Sequence, residues 1–173
     1  MGLQSMLLFG EGKMDGIFLN YLKAVYGDRE RQAIKVARGQ GGSPECVVTR
    51  MVKSELEIAN YERSLLLIDS DLPIEKKTLV KLDELGVALV LSEPRCIEGL
   101  MLKVLDDLPK GARNSASKNL KRRFWKNHLK TDKERDALKR LNRGIGKLFP
   151  KKTLETARKT CGTLDELITF IEP

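Results

Sequence analysis

The sequence predicts an α/β fold of Rossmann-like type: a mainly parallel four-stranded sheet flanked by helices, followed by a basic helical C-terminal section. Three observations carry this. Four short runs, MLLF at residues 6–9, IKVA at 34–37, LLLI at 65–68 and VALVL at 87–91, read as strands, with MLLF buried and LLLI apolar throughout. The segments between them carry helical periodicity and are long enough for parallel crossovers. After Leu108 the strand signals stop, and residues from about 115 to 171 read as helical.

Each element has a local cause. The first run ends at Gly10-Glu11-Gly12, a strand entering a loop. Ile17, Phe18, Tyr21, Leu22 and Val25 then recur at helical spacing, and Gly27 supplies a stop. The second run enters Gly39-Gln40-Gly41-Gly42. Ser43-Pro44 opens the next helix with a capping hydroxyl and a proline at the first helical position. Val47, Val48, Met51, Val52 and Leu56 form its buried face. The third run leads into Asp69-Ser70-Asp71. Pro73 opens a third helix with Leu79, Leu82 and Leu85 inward and Gly86 at its end. A fourth helix follows around residues 97–108. Pro109-Lys110-Gly111 breaks the chain, and Gly144, Pro150 and Gly162 punctuate the tail. The expected division is an α/β domain over residues 1–108 and a basic helical extension over 109–173, packed on or beside it.

Composition bounds the function classes. With 41% hydrophobic and 32% charged residues, the 173-residue chain can build a core and is not compositionally disordered. It has no signal-peptide-like leading segment and no run of about 18 apolar residues, so a soluble cytoplasmic protein without a membrane partner is expected. Cys46, Cys96 and Cys161 are odd in number and form no CxxC pair, which argues against a disulfide framework or a zinc site and for buried small hydrophobes. The single His128 cannot build a histidine-rich centre and reads as a surface residue on a helix. Charge is uneven. Residues 1–108 hold 14 Lys/Arg against 17 Asp/Glu, a balance of −3; residues 109–173 hold 18 against 7, a balance of +11. That asymmetry suggests a polyanionic partner, although basic helices are also often plain solvated faces.

Acids gather where strands end. Glu11 follows the first strand, Asp69 and Asp71 the third, and Glu98 lies shortly after the fourth. In a parallel sheet these positions share one edge, where open α/β sheets place their sites. Asp69 and Asp71 are two apart and, in extended chain, point the same way. Two hard carboxylates with a third from another strand suit magnesium, which prefers oxygen ligands and keeps several waters. Any one acid alone is better explained as a helix cap or turn residue; the set favours a site.

Glu11-Gly12 after the first strand, with Asp69-Ser70-Asp71 after the third, resembles the TOPRIM domain of topoisomerases, DnaG-type primases and OLD-family nucleases. GEGKMDGIFLNYLK and SEPRCIEGLMLKVL are most similar to the RloB-like and OLD-type branch, over roughly residues 5–108. The resemblance implies a Mg2+- or Mn2+-dependent nuclease acting on DNA or RNA, with a phage-defence or mobile-element setting and an ATPase as a protein partner. It implies catalytic roles for Glu11, Asp69 and Asp71, and metal ligation by these three with Glu98 and Asp15. Three departures stand out. Asp15 occupies a position where the branch has glutamate. Glu93 replaces a common asparagine, and Gly99-Leu100-Met101 replaces the usual aromatic. A non-catalytic TOPRIM binding or assembly module is the alternative.

Two further features remain. The 39–43 loop could approach a phosphate with backbone amides, but it lacks the P-loop lysine spacing; a flexible turn capped by Ser43 is the other reading. Residues 110–143 hold 13 Lys/Arg and three acids. Lys13, Lys118, Lys121, Arg122, Arg123 and Lys126 are the candidate nucleic-acid contacts. Phe124 and Trp125 either stack on bases or anchor the tail to the sheet.

Overall fold

The structure, a computed structural model, describes residues 2–140 and 144–173. Four strands, β1 (Gln4–Gly10), β2 (Gln32–Arg38), β3 (Arg63–Asp69) and β4 (Val87–Ser92), form one all-parallel sheet in the order β2-β1-β3-β4. The fold is α/β and Rossmann-like. Helices α1 (Lys13–Tyr26), α2 (Pro44–Met51), α3 (Lys76–Glu84) and α4 (Ile97–Val104) connect or follow the strands, with a π-helical turn, Val52–Leu56, extending α2. The tail supplies α5 (Ser117–His128), α6 (Asp132–Leu138), α7 (Gly146–Leu148), α8 (Lys151–Arg158) and α9 (Gly162–Ile171).

Strand alternation sorts the core into two layers. Met6 and Leu8 of β1 and Leu65 and Leu67 of β3 face α1, α4 and the tail helices. Leu7 and Phe9, with Leu66 and Ile68, face Val47, Val48 and Met51 of α2 and Leu82 of α3. Burial on both faces explains why the two central strands read as unbroken apolar runs. Edge strand β2 instead alternates, with Gln32 and Ile34 buried and Ala33 and Lys35 exposed.

The tail completes the larger layer. Phe124, Phe149, Leu154, Leu164, Leu167, Ile168 and Ile171 are fully buried in it. The Phe18 and Phe149 rings meet edge to face at 5.6 Å, and the Tyr21 hydroxyl donates to the Phe149 carbonyl. Helix α9 crosses the sheet: Thr163 Oγ1 donates to Leu91 O of β4 at 3.2 Å, and Gln32 Nε2 of β2 donates to Ile171 O at 2.8 Å. Arg158 ties α8 to α9 through Asp165 at 2.7 Å and a two-pronged contact with Glu172 at 2.9 Å.

Several expectations need correction. Helix α3 starts at Lys76, not Pro73, because Ile74 packs on the smaller core layer before the helix begins. Its inward face is therefore Thr78 and Leu82, one turn apart, and Leu79 and Leu85 are 43% and 41% exposed. Helix α4 stops at Val104, with Asp106 at φ 55° in the turn that follows. Cys96 and Cys161 are buried, but Cys46 is exposed on α2. His128 is no free surface residue: its Nε2 lies 2.9 Å from Asp107 Oδ2, alongside Arg123 and Asn127. Asn127, Arg123 and His128 together hold the Asp107 carboxyl down to about 2. Phe124 is an anchor, and Trp125 is half-buried beside it. Helix expected at 141–143 lies outside the described residues. Among the described residues no helix is long and apolar enough to cross a membrane.

Because Phe149 joins the tail to α1 with no exposed surface, Phe149→Ala should cost about 3–5 kcal/mol. Urea unfolding should show this as a lower midpoint, with the single Trp125 fluorescence and far-ultraviolet circular dichroism moving together. A tail transition separating from the sheet transition in the wild-type protein would disprove the shared core.

Candidate functional site

The chain leaves β1 for β2 on one side and then returns to place β3 on the other, so the β1/β3 junction is where strand order reverses. In open parallel sheets, a crevice forms beyond the strand ends at such a point. Glu11 and Asp69 occupy it. Glu11 N donates to Leu67 O at 3.0 Å, carrying the β1–β3 ladder one residue further. Its side chain then reaches across, and Oε2 accepts from Asp69 N at 2.9 Å.

Asp69 ends β3 on the same face as Leu65 and Leu67. Its Oδ1 accepts from Ile97 N, at the start of α4, at 3.1 Å. Its Oδ2 lies 3.8 Å from Lys121 Nζ of α5, a loose ion pair. Asp15, in the first turn of α1, caps that helix: Oδ2 accepts from Gly12 N at 3.0 Å. Asp15 Oδ1 is buried without a partner, as is Glu98 Oε2 in the first turn of α4. Asp15 and Glu98 are each only 4% exposed and Asp69 9%. These acids line one cleft of about 480 Å³ with Glu11, Lys121 and Arg38.

Close backbone approach builds the cleft's far wall. Gly39 N donates to Gly10 O at 2.9 Å, and Gly41 N to Glu11 O at 3.0 Å. A Cβ on Gly39 would stand 2.8 Å from Glu11 O, so only glycine fits there. These two amides are spent on strand ends, which leaves the glycine loop fewer donors for a phosphate. Ser43 caps α2 as expected, accepting from Cys46 N at 3.4 Å.

Burial dominates the electrostatics. Asp15 is held well above the usual carboxylate range by burial, then by the charges of Asp69 and Glu11. Burial and the neighbouring Glu11 push Asp69 up to about 7. Burial also raises Glu98. Burial works against the Lys121 charge, but the Glu98 and Asp69 carboxylates outweigh it and raise its pKa.

The structure brings Glu11, Asp15, Asp69, Glu98, Lys13 and Lys121 to the cleft. Asp71 is not among its lining residues. The chain turns at Ser70, so the parity expected of extended chain fails, and Asp71 Oδ2 instead accepts from Ser117 Oγ on α5 at 2.6 Å. Ser70 is more than a spacer: its hydroxyl donates to Ser92 O at 2.8 Å and accepts from Arg95 N at 2.9 Å. Lys118, Arg122 and Lys126, four apart on α5, are exposed. Arg123 is committed to Asp107 through its carbonyl and carboxylate, so it is a structural tie and not a free phosphate contact. Arg38 lines the cleft although sequence reasoning did not single it out; its place at the end of β2 was the available signal.

Hard carboxylate oxygens, two of them buried without partners, fit magnesium or manganese in donor chemistry. The acids are not closed into a ready cage: among the described residues, no group of three or more His, Cys, Asp or Glu is placed to hold an ion. An ion here would need few protein ligands and a largely aqueous shell, which magnesium tolerates.

The acids give the metal-free protein a pH signature. Burial and Glu11 push Asp69 up to about 7 in the folded chain, against ~3.9 when unfolded. Its folded pKa is raised, so its stabilising contribution is complete below the unfolded value and is lost as pH rises through about 7. Asp69→Asn, which cannot ionise, should therefore melt several degrees higher than wild type in chelator at about pH 8, with a smaller gain at about pH 5. Equal gains at both pH values, or a loss at the higher one, would contradict the buried, strained carboxylate.

Comparison of the chain with protein-family models, with curated proteins and with solved structures gives no match.

Proposed function

We propose that the chain carries out metal-dependent nucleic-acid phosphodiester chemistry, as a TOPRIM-type nuclease. The observation that carries this reading is the meeting of Glu11 and Asp69, from two strands, at the point where strand order reverses, in one cleft with Asp15, Glu98 and Lys121.

Each group has a role suited to that chemistry. One or two of the carboxylates Glu11, Asp69, Asp15 and Glu98 would hold Mg2+ or Mn2+, with water completing its shell. A bound ion of this kind neutralises phosphate charge and lowers the pKa of its water. Glu11 is half-exposed and uses only Oε2 on the Asp69 amide, so Oε1 is the oxygen suited to taking a proton from an attacking water. Lys121, Lys13 and Arg38 line the same cleft and would neutralise the phosphate as it enters. The exposed row Lys118, Arg122 and Lys126 extends this field along α5 and suits a nucleic-acid backbone.

A second reading, a nucleic-acid-binding module that does not cleave, is favoured by one observation. Glu11 and Asp71 each already serve a structural hydrogen bond.

Nuclease assays with Mg2+ and Mn2+ on single- and double-stranded DNA and RNA separate the two. Cleavage by the wild-type protein, reduced about 100-fold or more in Glu11→Gln and Asp69→Asn, is expected if metal-assisted chemistry is lost. Absence of cleavage on every substrate, with binding unchanged in both variants, selects the binding module instead. Replacing Lys118, Arg122 and Lys126 with glutamine should flatten the salt dependence of binding by roughly 0.7–0.9 per residue on a log–log plot. An unchanged slope would remove α5 from the interface.

A further inference from the structure

A second concavity, of about 520 Å³, opens beside the Ser70 turn and is lined by Ser70, Glu93, Arg95, Lys103 and Arg113. Three cations reach it from three different elements. Arg95 comes from the β4–α4 loop, Lys103 from α4 and Arg113 from the short 3-10 turn Ala112–Asn114. Several other cations are tied to acids: Arg123 to Asp107, Arg135 to Asp132, Lys139 to Asp136 and Arg158 to Glu172. Among the described residues, no salt bridge involves Arg95, Lys103 or Arg113.

Arg95 is the most telling of the three. It holds φ 70°, a left-handed conformation that a side chain disfavours. The Ser70 hydroxyl keeps it there by accepting from Arg95 N while donating to Ser92 O. The turn that presents Asp69 to the acid cleft thus also sets Arg95 at the neighbouring cavity. Arg95 Nε is buried without a hydrogen-bond partner. That Nε is closed to solvent, so an oxyanion in the cavity would meet the rest of the Arg95 guanidinium. The planar fork of arginine matches phosphate oxygens, and Lys103 and Arg113 add charge to the same space.

We propose that this cavity is a phosphate-binding subsite that grips the nucleic-acid strand at a phosphate other than the one in the acid cleft. The choice of polymer rests on the reading of the acid cleft; the preference for phosphate rests on the cavity itself. Ser70 lies between the two, so a strand held at both places would have its register set by a single turn. The phosphate is either a 5′-terminal one or an internal one of the backbone.

Binding of a short fluorescent single strand, with either a 5′-phosphate or a 5′-hydroxyl, tests this in chelator, where no cleavage occurs. Arg95→Gln and Arg113→Gln should each weaken binding about tenfold, the scale of a charged hydrogen bond, and Glu93→Gln, which removes the acid of the cavity, should tighten it. If the two arginine variants abolish a preference for the 5′-phosphate, the terminal group is the ligand. If they weaken both strands alike, it is an internal phosphate. Wild-type affinity in both arginine variants overturns the proposal. So does a loss confined to Arg95→Gln with no change in Arg113→Gln and Glu93→Gln, because it would reflect collapse of the Ser70 turn. Cleavage absent with this binding intact counts against the nuclease reading alone; cleavage intact with this binding insensitive counts against the subsite alone.

Discussion

One hydrogen bond sits where the rest of the molecule converges: the amide of Asp69 donating to the carboxylate of Glu11. It joins the last residue of β3 to the first residue after β1, at the point where strand order reverses. Without it, an amide at the end of a central strand would lack its ladder partner. With it, Glu11 is drawn over the strand ends, and its own carbonyl becomes the anchor for Gly41. The glycine loop, the cleft wall and the position of Asp69 then follow from a single contact.

The cost of that arrangement is concentrated negative charge in a dry place. Asp15, Asp69 and Glu98 are all nearly inaccessible, and each is pushed toward its neutral form. The cation in ion-pair contact with them comes from the tail, as Lys121 on α5. The tail is therefore part of the cleft as well as part of the core: Leu120 and Phe124, on either side of Lys121, are buried against α4 and its neighbours. Cys96, at the N-cap of α4, is buried in the larger core layer, and that burial pushes its thiol up to about 12.

Much of this was legible in the residues. The central strands announce themselves because burial on both faces leaves no polar position, and the acids following them could be placed at one edge from topology alone. Other features were hidden for identifiable reasons. The phase of α3 failed because Leu79, Leu82 and Leu85 share a period that an exposed helix can also carry, and the deciding contact, Ile74, precedes the helix. The pairing of Asp69 with Asp71 assumed that extended chain continues past Asp69, whereas it turns at once. Arg123 looked like any other cation of the basic stretch, because its partner Asp107 lies across a chain break that composition does not span. Arg38 was overlooked though it ends a strand at the same edge as the acids. The role of Ser70, a hydroxyl shared between two backbone groups, has no signature in sequence at all.

The sharing of one core between sheet and tail has a consequence for biosynthesis. A ribosome will have made all four strands by Ser92, yet the larger apolar layer is covered by side chains as late as Ile171. From Ser92 until the tail helices have emerged and docked, the nascent sheet carries an open apolar face and lacks the ammonium of α5 beside its acids. Such an intermediate invites chaperone contact or misassociation. It also means that the acid cleft acquires its final charge balance only after α5 has emerged and docked, well after the strands that frame it.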